Sequence, residues 1–245
     1  MPGLLLVNAQ DVSRSLGDNP KNVSVKSVQA YLEEQYLPKT MGGFNHDPSI
    51  RVTHDMFRGA TTKAQGKIYC LANGNPKGRT QNAEIVSVVG DYAEANVSVC
   101  HRIGYVAVGV GRHKDQTILI GIKAPFVRVR AGNAFLVIPG FRKLARPRGW
   151  QIDFVCSLAA NQLARDDYER ASPEYLYAGP GDENDKRQFH SFSGGDLTLY
   201  SKDRVDEFLQ IYVEAVVKLL EIGRGAQPAR TAGYRIIDPS QGAFF

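Results

Sequence analysis

Residues 103–150 read IGYVAVGVGRHKDQTILIGIKAPFVRVRAGNAFLVIPGFRKLARPRGW and carry the strongest structural signal in the chain. Two apolar runs, at 104–111 and 116–123, flank a short polar turn and predict a β-hairpin. Two further runs, at 126–130 and 134–138, flank a turn that contains glycine and asparagine, which predicts a second hairpin. The two hairpins together predict an antiparallel sheet.

Basic residues dominate the second half of this stretch. On the third run, period two places Phe126, Arg128 and Arg130 on one face of the strand. Seven Lys or Arg and no acidic residue occur between Asp115 and Asp153. We therefore expect the sheet to present a basic face that binds a polyanion.

The expected interface combines this face with the basic segment that follows it and with a polar loop at residues 73–82. Arginine and lysine would contact phosphates, and aromatic rings would stack on bases. The alternative is a solvated face with the aromatic residues in the core. The expected nucleic-acid contacts are Arg128, Arg130, Arg142, Lys143, Arg146, Arg148, Lys77, Arg79, Phe126, Phe141 and Trp150.

The predicted fold class is α+β: an antiparallel β-meander over about residues 84–138, flanked by three or four helices. The clearest helix follows Ser201 as N-cap, carries one apolar stripe and ends near Gly223. Another is expected over about 153–168, one begins at Ser24 or Ser27 as N-cap, and a short one begins at Thr53.

Short strands are expected at 4–7, 67–72 and 196–200. Residues 172–193 contain prolines, glycines and an acidic run, which predicts a long surface loop.

The 245-residue chain is 43% hydrophobic with a net charge of +5, which is typical of a globular protein with a weak preference for polyanions. We expect one domain over 1–245 with an ordered C-terminal arm at 224–245.

Three cysteines without CxxC spacing indicate a reducing compartment rather than a disulfide framework. Because no apolar run approaches the ~20 residues of a membrane helix, we expect no membrane partner and a cytoplasmic location, or one inside a virus particle or infected cell.

Motifs for catalysis, metals and cofactors are absent from the sequence. The five histidines are scattered without HxxxH or HxH spacing, no acid-x-Lys falls on a predicted strand, and there is no GxxxxGK[ST] or GxSxG motif. We therefore expect no catalytic residues, no metal and no cofactor. An enzyme whose site is not visible in one sequence stays open as a third hypothesis.

Several segments resemble RecT-type single-strand annealing proteins. They are VTHDMFRGATT (52–62), PGFRKLARPRG (139–149), RDDYERASPEYLYAG (165–179) and YSKDRVDEFL (200–209), which agree in order and approximate spacing. The resemblance implies a phage-type protein that coats single-stranded DNA as a ring or filament and promotes annealing without ATP or an obligatory metal. The family's C-terminal signature has no counterpart after Leu220.

The leading hypothesis is a non-catalytic, homo-oligomeric protein that binds nucleic acid and anneals single strands of DNA. The alternative is a structural subunit of a virus or phage particle, such as a capsid, tail or connector protein. The aromatic C-terminal arm motivates this alternative, because it could dock on a neighbouring subunit; it could equally pack as a strap across its own domain.

Overall fold

The computed structural model describes residues 3–38, 45–142, 146–181 and 186–237. These residues form seven α-helices and two mixed sheets, so the predicted α+β class is confirmed. The elements in chain order are β1 (Leu6–Asn8), α1 (Ala9–Ser15), α2 (Val25–Tyr31), α3 (Asp47–Phe57), α4 (Lys63–Ala72), α5 (Arg79–Ala95), β2 (Val99–Arg102), β3 (Tyr105–His113), β4 (Gln116–Ile122), β5 (Phe126–Arg130), β6 (Asn133–Gly140), α6 (Gly149–Leu163), β7 (Ser172–Pro180), β8 (Arg187–Ser193), α7 (Lys202–Glu221) and β9 (Tyr234–Ile237).

The strands divide into two sheets. The first has the order β1-β4-β3-β9, and the second has the order β2-β5-β6-β7-β8. Parallel pairs join β1 to β4, β3 to β9 and β6 to β7, and the other neighbours are antiparallel. Helix α6 is the crossover between the parallel strands β6 and β7, as such connections require.

The second sheet is covered on both faces. Val127 and Leu136 point into a large core that also contains the first sheet, α6 and α7. The alternate residues, Phe126 and Val137, point into a second core formed with α3, α4 and α5. This arrangement follows from the period of two along each strand, and it places the predicted basic face of β5 under a layer of helices.

Both predicted hairpins are confirmed, but the single meander is wrong. Strands β3 and β4 belong to the first sheet, whereas β5 and β6 belong to the second. The chain changes sheet between Ile122 and Phe126. Hairpins are local and can be read from the sequence, whereas the pairing of their outer edges with β1, β2, β7 and β9 depends on distant residues.

The predicted strand at 67–72 is wrong, because α4 occupies these residues. The predicted polar loop is confirmed at 73–78, which includes a 3₁₀ turn at Pro76–Gly78, but it is wrong at 79–82, where α5 begins. Thr62 caps α4 through a capping box with Gln65. The run that begins at Ala83 looks β-rich, yet its buried residues recur at helical spacing in α5. The β-branched residues therefore fill a helix interface rather than a strand.

The predicted surface loop at 172–193 is also wrong. Strand β7 lies between β6 and β8 and is buried along almost its whole length, while residues 182–185 lie outside the described ranges. The predicted strand at 196–200 is absent from the described structure, where a 3₁₀ turn at Gly194–Asp196 precedes irregular chain.

The C-terminal helix is confirmed. Ser201 caps α7 by accepting a hydrogen bond from the N–H of Arg204, and Gly223 follows the helix with φ of 75°. Of the predicted arm, residues 224–237 are described, and β9 pairs with β3 at the edge of the first sheet. No helix in the described ranges is long and apolar enough to cross a membrane.

Candidate ligand-binding cleft

Arg128 is not on an open face, as the sequence predicted. Its side chain is 3% exposed and pairs with Glu174 of β7, whose side chain is fully buried. The Nε and Nη2 groups of Arg128 donate to the two carboxylate oxygens at 2.7 and 2.6 Å. The helices α3 and α5 cover this face, so Arg128 is unavailable to a phosphate.

The other predicted cations are scattered. Arg130 is exposed and donates to the side chain of Asn96, whereas Arg142 makes a two-fold contact with Asp11 that includes an Nη2–Oδ2 distance of 2.6 Å. Arg148 is exposed and bonds Asp18 at 3.1 Å. Arg146 is exposed as well, and Lys143 lies outside the described residues.

Lys77 is exposed in a 3₁₀ turn, and Arg79 is half-buried at the start of α5, where its Nε donates to the carbonyl of Gly74 at 3.3 Å.

Two of the three predicted stacking residues are buried, and the third packs against the core. Phe126 and Phe141 are 2% and 3% exposed and belong to the second core. Trp150 is half-buried, with its indole N–H donating to the carbonyl of Asp18 at 2.9 Å and its ring against Phe208. The structure thus favours the alternative that the aromatic residues belong to the core.

A cleft of about 600 Å³ lies where the helical layer meets the start of β3 and β5. Of the predicted contacts that lie in the described residues, only Phe126 lines it. The lining residues come from α3, α4, the ends of β2, β3 and β5, and five connecting segments. They combine polar, charged and aromatic side chains: Asn45, Asp47, Pro48, Ile50, Arg51, His54, Tyr69, Asn73, Gly74, Arg102, Gly104, Tyr105, Pro125, Phe126 and Gly233.

Two arginines from different elements flank one carboxylate at this cleft. Asp55 lies 4.0 Å from Nε of Arg51 on α3 and 3.9 Å from Nη2 of Arg102 at the end of β2. Both arginine side chains are 61% exposed. Contacts this long and this exposed are weak, so the guanidinium groups keep N–H donors for a ligand.

His54 belongs to the same cluster. Its Nδ1 lies 2.9 Å from Oδ1 of Asp55, and its side chain is only 5% exposed. Burial lowers the pKa of His54, with Arg102 acting in the same direction and the hydrogen bond to Asp55 opposing. His54 is therefore neutral near pH 7.

Two tyrosines, Tyr69 of α4 and Tyr105 of β3, line the cleft. The ring of Tyr69 lies under the guanidinium of Arg51, with 5.7 Å to the ring centroid. The hydroxyl of Tyr105 donates to Asp47 at 2.9 Å, and Nζ of Lys123 lies 5.1 Å from the Tyr105 centroid. Burial raises the pKa of Tyr105, which keeps its hydroxyl protonated as the donor to Asp47.

The sequence contained part of this site. Arg51, His54 and Asp55 stand at spacings of three and four on α3, which brings them to one face of a helix. Arg102 joins them only because β2 pairs with β5 and places Arg102 beside Phe126. That pairing is not visible in the local sequence.

In the described ranges, no three His, Cys, Asp or Glu side chains group as metal ligands.

No protein-family model matches the chain, and no curated protein or solved structure matches it. The chemistry of the cleft therefore rests on its own geometry.

Proposed function

We propose that this protein binds single-stranded nucleic acid, with the cleft as its principal contact. The observation that carries the proposal is the pair of exposed arginines, Arg51 and Arg102, beside a cleft with aromatic walls. Proteins that bind single strands combine cations that contact the backbone with aromatic surfaces that receive bases. An unpaired base can enter such a cleft, whereas a base pair within a duplex offers only its edges.

Fluorescence anisotropy tests this proposal. Labelled single-stranded and double-stranded oligonucleotides are titrated across a salt series with the wild-type protein and the double variant Arg51→Ala/Arg102→Ala. The charge-matched control is Arg165→Ala/Arg170→Ala, which removes two exposed arginines outside the cleft.

We expect wild-type protein to prefer the single strand and the cleft variant to bind more weakly. Each lost phosphate contact lowers the slope of log K against log salt by about 0.7. Equal weakening in both double variants would show that binding follows net charge alone and would contradict the proposal.

Strand annealing is the activity that the resemblance to RecT-type proteins implies, and we include it in the proposal. The same proteins are mixed with complementary oligonucleotides that carry a fluorophore and a quencher, without ATP or metal. Faster quenching with wild-type protein than with the cleft variant would support annealing through this site. Quenching no faster than in buffer would limit the function to binding.

The second candidate function is a structural subunit of a virus or phage particle. One observation favours it: Ala64, Ile68 and Leu71 share the outer face of α4, where Ile68 is 68% exposed and Leu71 is 51% exposed. Exposed apolar patches of this kind mark surfaces that pack against another protein. Light scattering of the protein alone tests this candidate, because a structural subunit assembles without nucleic acid, whereas a monomer of 27.0 kDa would contradict that role. Since a strand-annealing protein can also form oligomers, the anisotropy titration distinguishes the two functions: a structural subunit should assemble and bind no oligonucleotide.

A further inference from the structure

Nε2 of His54 is a buried polar atom of a residue that lines the cleft. His54 as a whole is 4% exposed, and its Nε2 atom has no hydrogen-bond partner among the described residues. Buried polar atoms are almost always paired, and an unpaired one costs free energy. His54 lines the cleft, although Nε2 itself has less than 1 Å² of accessible surface. A ligand seated in the cleft could therefore supply the missing partner after a small movement of the ring or of the side chains that cover it.

The contact with Asp55 fixes what this partner must be. A carboxylate only accepts hydrogen bonds, so we assign the proton of the neutral imidazole to Nδ1, which donates to Oδ1 of Asp55 at 2.9 Å. Nε2 then carries a lone pair and acts as an acceptor. The ligand must therefore bring an N–H or O–H donor to this point.

The rest of the site restricts the ligand further. The imidazole is held edge-on against Phe126, with centroids 5.1 Å apart and planes at 76°. Arg51 and Arg102 are two exposed cations on the same carboxylate cluster, which suits an anionic ligand. A nucleotide meets both requirements, because it joins a planar base to a phosphate. Each nucleobase presents at least one N–H on its pairing edge.

We propose that the cleft holds one unpaired base of a single strand, with His54 Nε2 accepting a hydrogen bond from an N–H of that base while Arg51 and Arg102 contact neighbouring phosphates. This inference rests on the proposed function and adds a base-recognition role for His54. His54 is a specificity-determining contact here rather than a group that takes part in a reaction.

Base analogues without the donor test this inference. Oligomers of thymidine and of deoxyadenosine, each about 12 nucleotides long, are titrated into wild-type protein. The tighter of the two is then compared with its donor-free analogue, built from 3-methylthymidine or purine deoxyriboside. We expect the analogue to bind about tenfold more weakly, as the loss of one buried hydrogen bond implies.

The variant His54→Phe separates the hydrogen bond from the shape of the analogue. It keeps an aromatic ring against Phe126 but has no acceptor, so parent and analogue should bind equally. The matched control is His101→Phe, an exposed histidine of β2, which should keep the wild-type preference. Should His54→Phe fail to fold, the ¹⁵N resonance of His54 Nε2 in wild-type protein gives the same information, because it shifts when the lone pair accepts a hydrogen bond.

The outcomes separate the two levels of the proposal. Wild-type protein that binds the oligomers but treats parent and analogue alike, or whose Nε2 resonance does not move, overturns the role of His54 and leaves strand binding intact. Wild-type protein that binds no oligomer at low salt overturns the proposed function and this inference together.

Discussion

Arg128 and Glu174 form a buried, two-fold ion pair that spans β6, the strand between their own strands β5 and β7. The hydroxyl of Tyr92 on α5 donates to the same carboxylate at 2.6 Å, and the ring of Phe135 lies 4.5 Å from the guanidinium carbon. Burial disfavours the charge on Arg128, but the hydrogen bonds and charge of Glu174 outweigh it and raise the pKa of Arg128. Arg128 therefore keeps its charge, and its pair with Glu174 ties α5 to the second sheet through Tyr92.

Replacing Glu174 with Gln should destabilise the protein by about 3–5 kcal/mol, because it leaves the charge of Arg128 buried without a counter-charge. Urea denaturation measures the loss. The control is Glu214→Gln, which breaks an exposed pair with Lys218 on α7 and should change stability by no more than about 0.5 kcal/mol. Equal effects of the two substitutions would show that burial of the Arg128–Glu174 pair contributes nothing.

Gly66 should be intolerant of a side chain. A Cβ at this position of α4 would overlap Cγ1 of Val52 on α3 and lie 3.3 Å from Cγ1 of Val86 on α5. We expect Gly66→Ala to destabilise the protein by about 1–3 kcal/mol, because overpacking outweighs the better helix propensity of alanine.

The control for Gly66 is Gly149→Ala at the start of α6, where a Cβ would meet nothing within 4 Å. That variant should be neutral or more stable by up to about 1 kcal/mol. Thermal melts of the two variants measure the difference. A Gly66→Ala protein as stable as Gly149→Ala would mean that α3, α4 and α5 are not packed this closely.

The sequence predicted local structure well and long-range placement poorly. Both hairpins and α7 were predicted because alternation, turn residues and an N-cap are local signals. The exposure of Arg128 was predicted wrongly, since period two identifies the face of a strand but not what covers that face. Its partner Glu174 lies 46 residues away, in a segment whose prolines and glycines resemble a loop.

The same limit applies to the candidate site. Acid-free stretches of sequence indicate positive charge, yet Arg142 and Arg148 find their carboxylates in Asp11 and Asp18, about 130 residues earlier in the chain. Arg51 lies one helical turn before His54 and Asp55 on α3, and Arg102 pairs with Phe126 across β2 and β5. None of these residues forms a basic cluster in the sequence. Charge counted along the chain therefore does not locate charge on the surface.

Stability should fall as the pH drops from 7 towards 4. Burial, and then the charge of Arg187, lower the pKa of His46 from its ordinary value of 6.5 to about 4, while a hydrogen bond with Asn82 opposes them. Between these two values the unfolded chain binds a proton that the folded protein does not, so stability is lost as pH falls through 6.5. The lowered pKa of His54 acts in the same direction.

Urea denaturation at several pH values measures this effect, and His46 should contribute no more than about 3 kcal/mol. The variant His46→Gln should show a smaller dependence on pH over the same range. Identical pH profiles for wild-type and variant proteins would show that His46 is not buried in its neutral form.

The central claim is that single strands bind at the cleft and not at the basic segment that the sequence favoured. The most direct measurement compares Arg51→Ala/Arg102→Ala with Arg146→Ala/Arg148→Ala, which removes the same charge, by anisotropy with one single-stranded oligonucleotide across a salt series. We predict that the cleft variant loses affinity and that its salt slope falls by about 1.4, while the second variant stays close to wild type. A loss of affinity confined to Arg146→Ala/Arg148→Ala would contradict the claim and place the interface on the segment before α6.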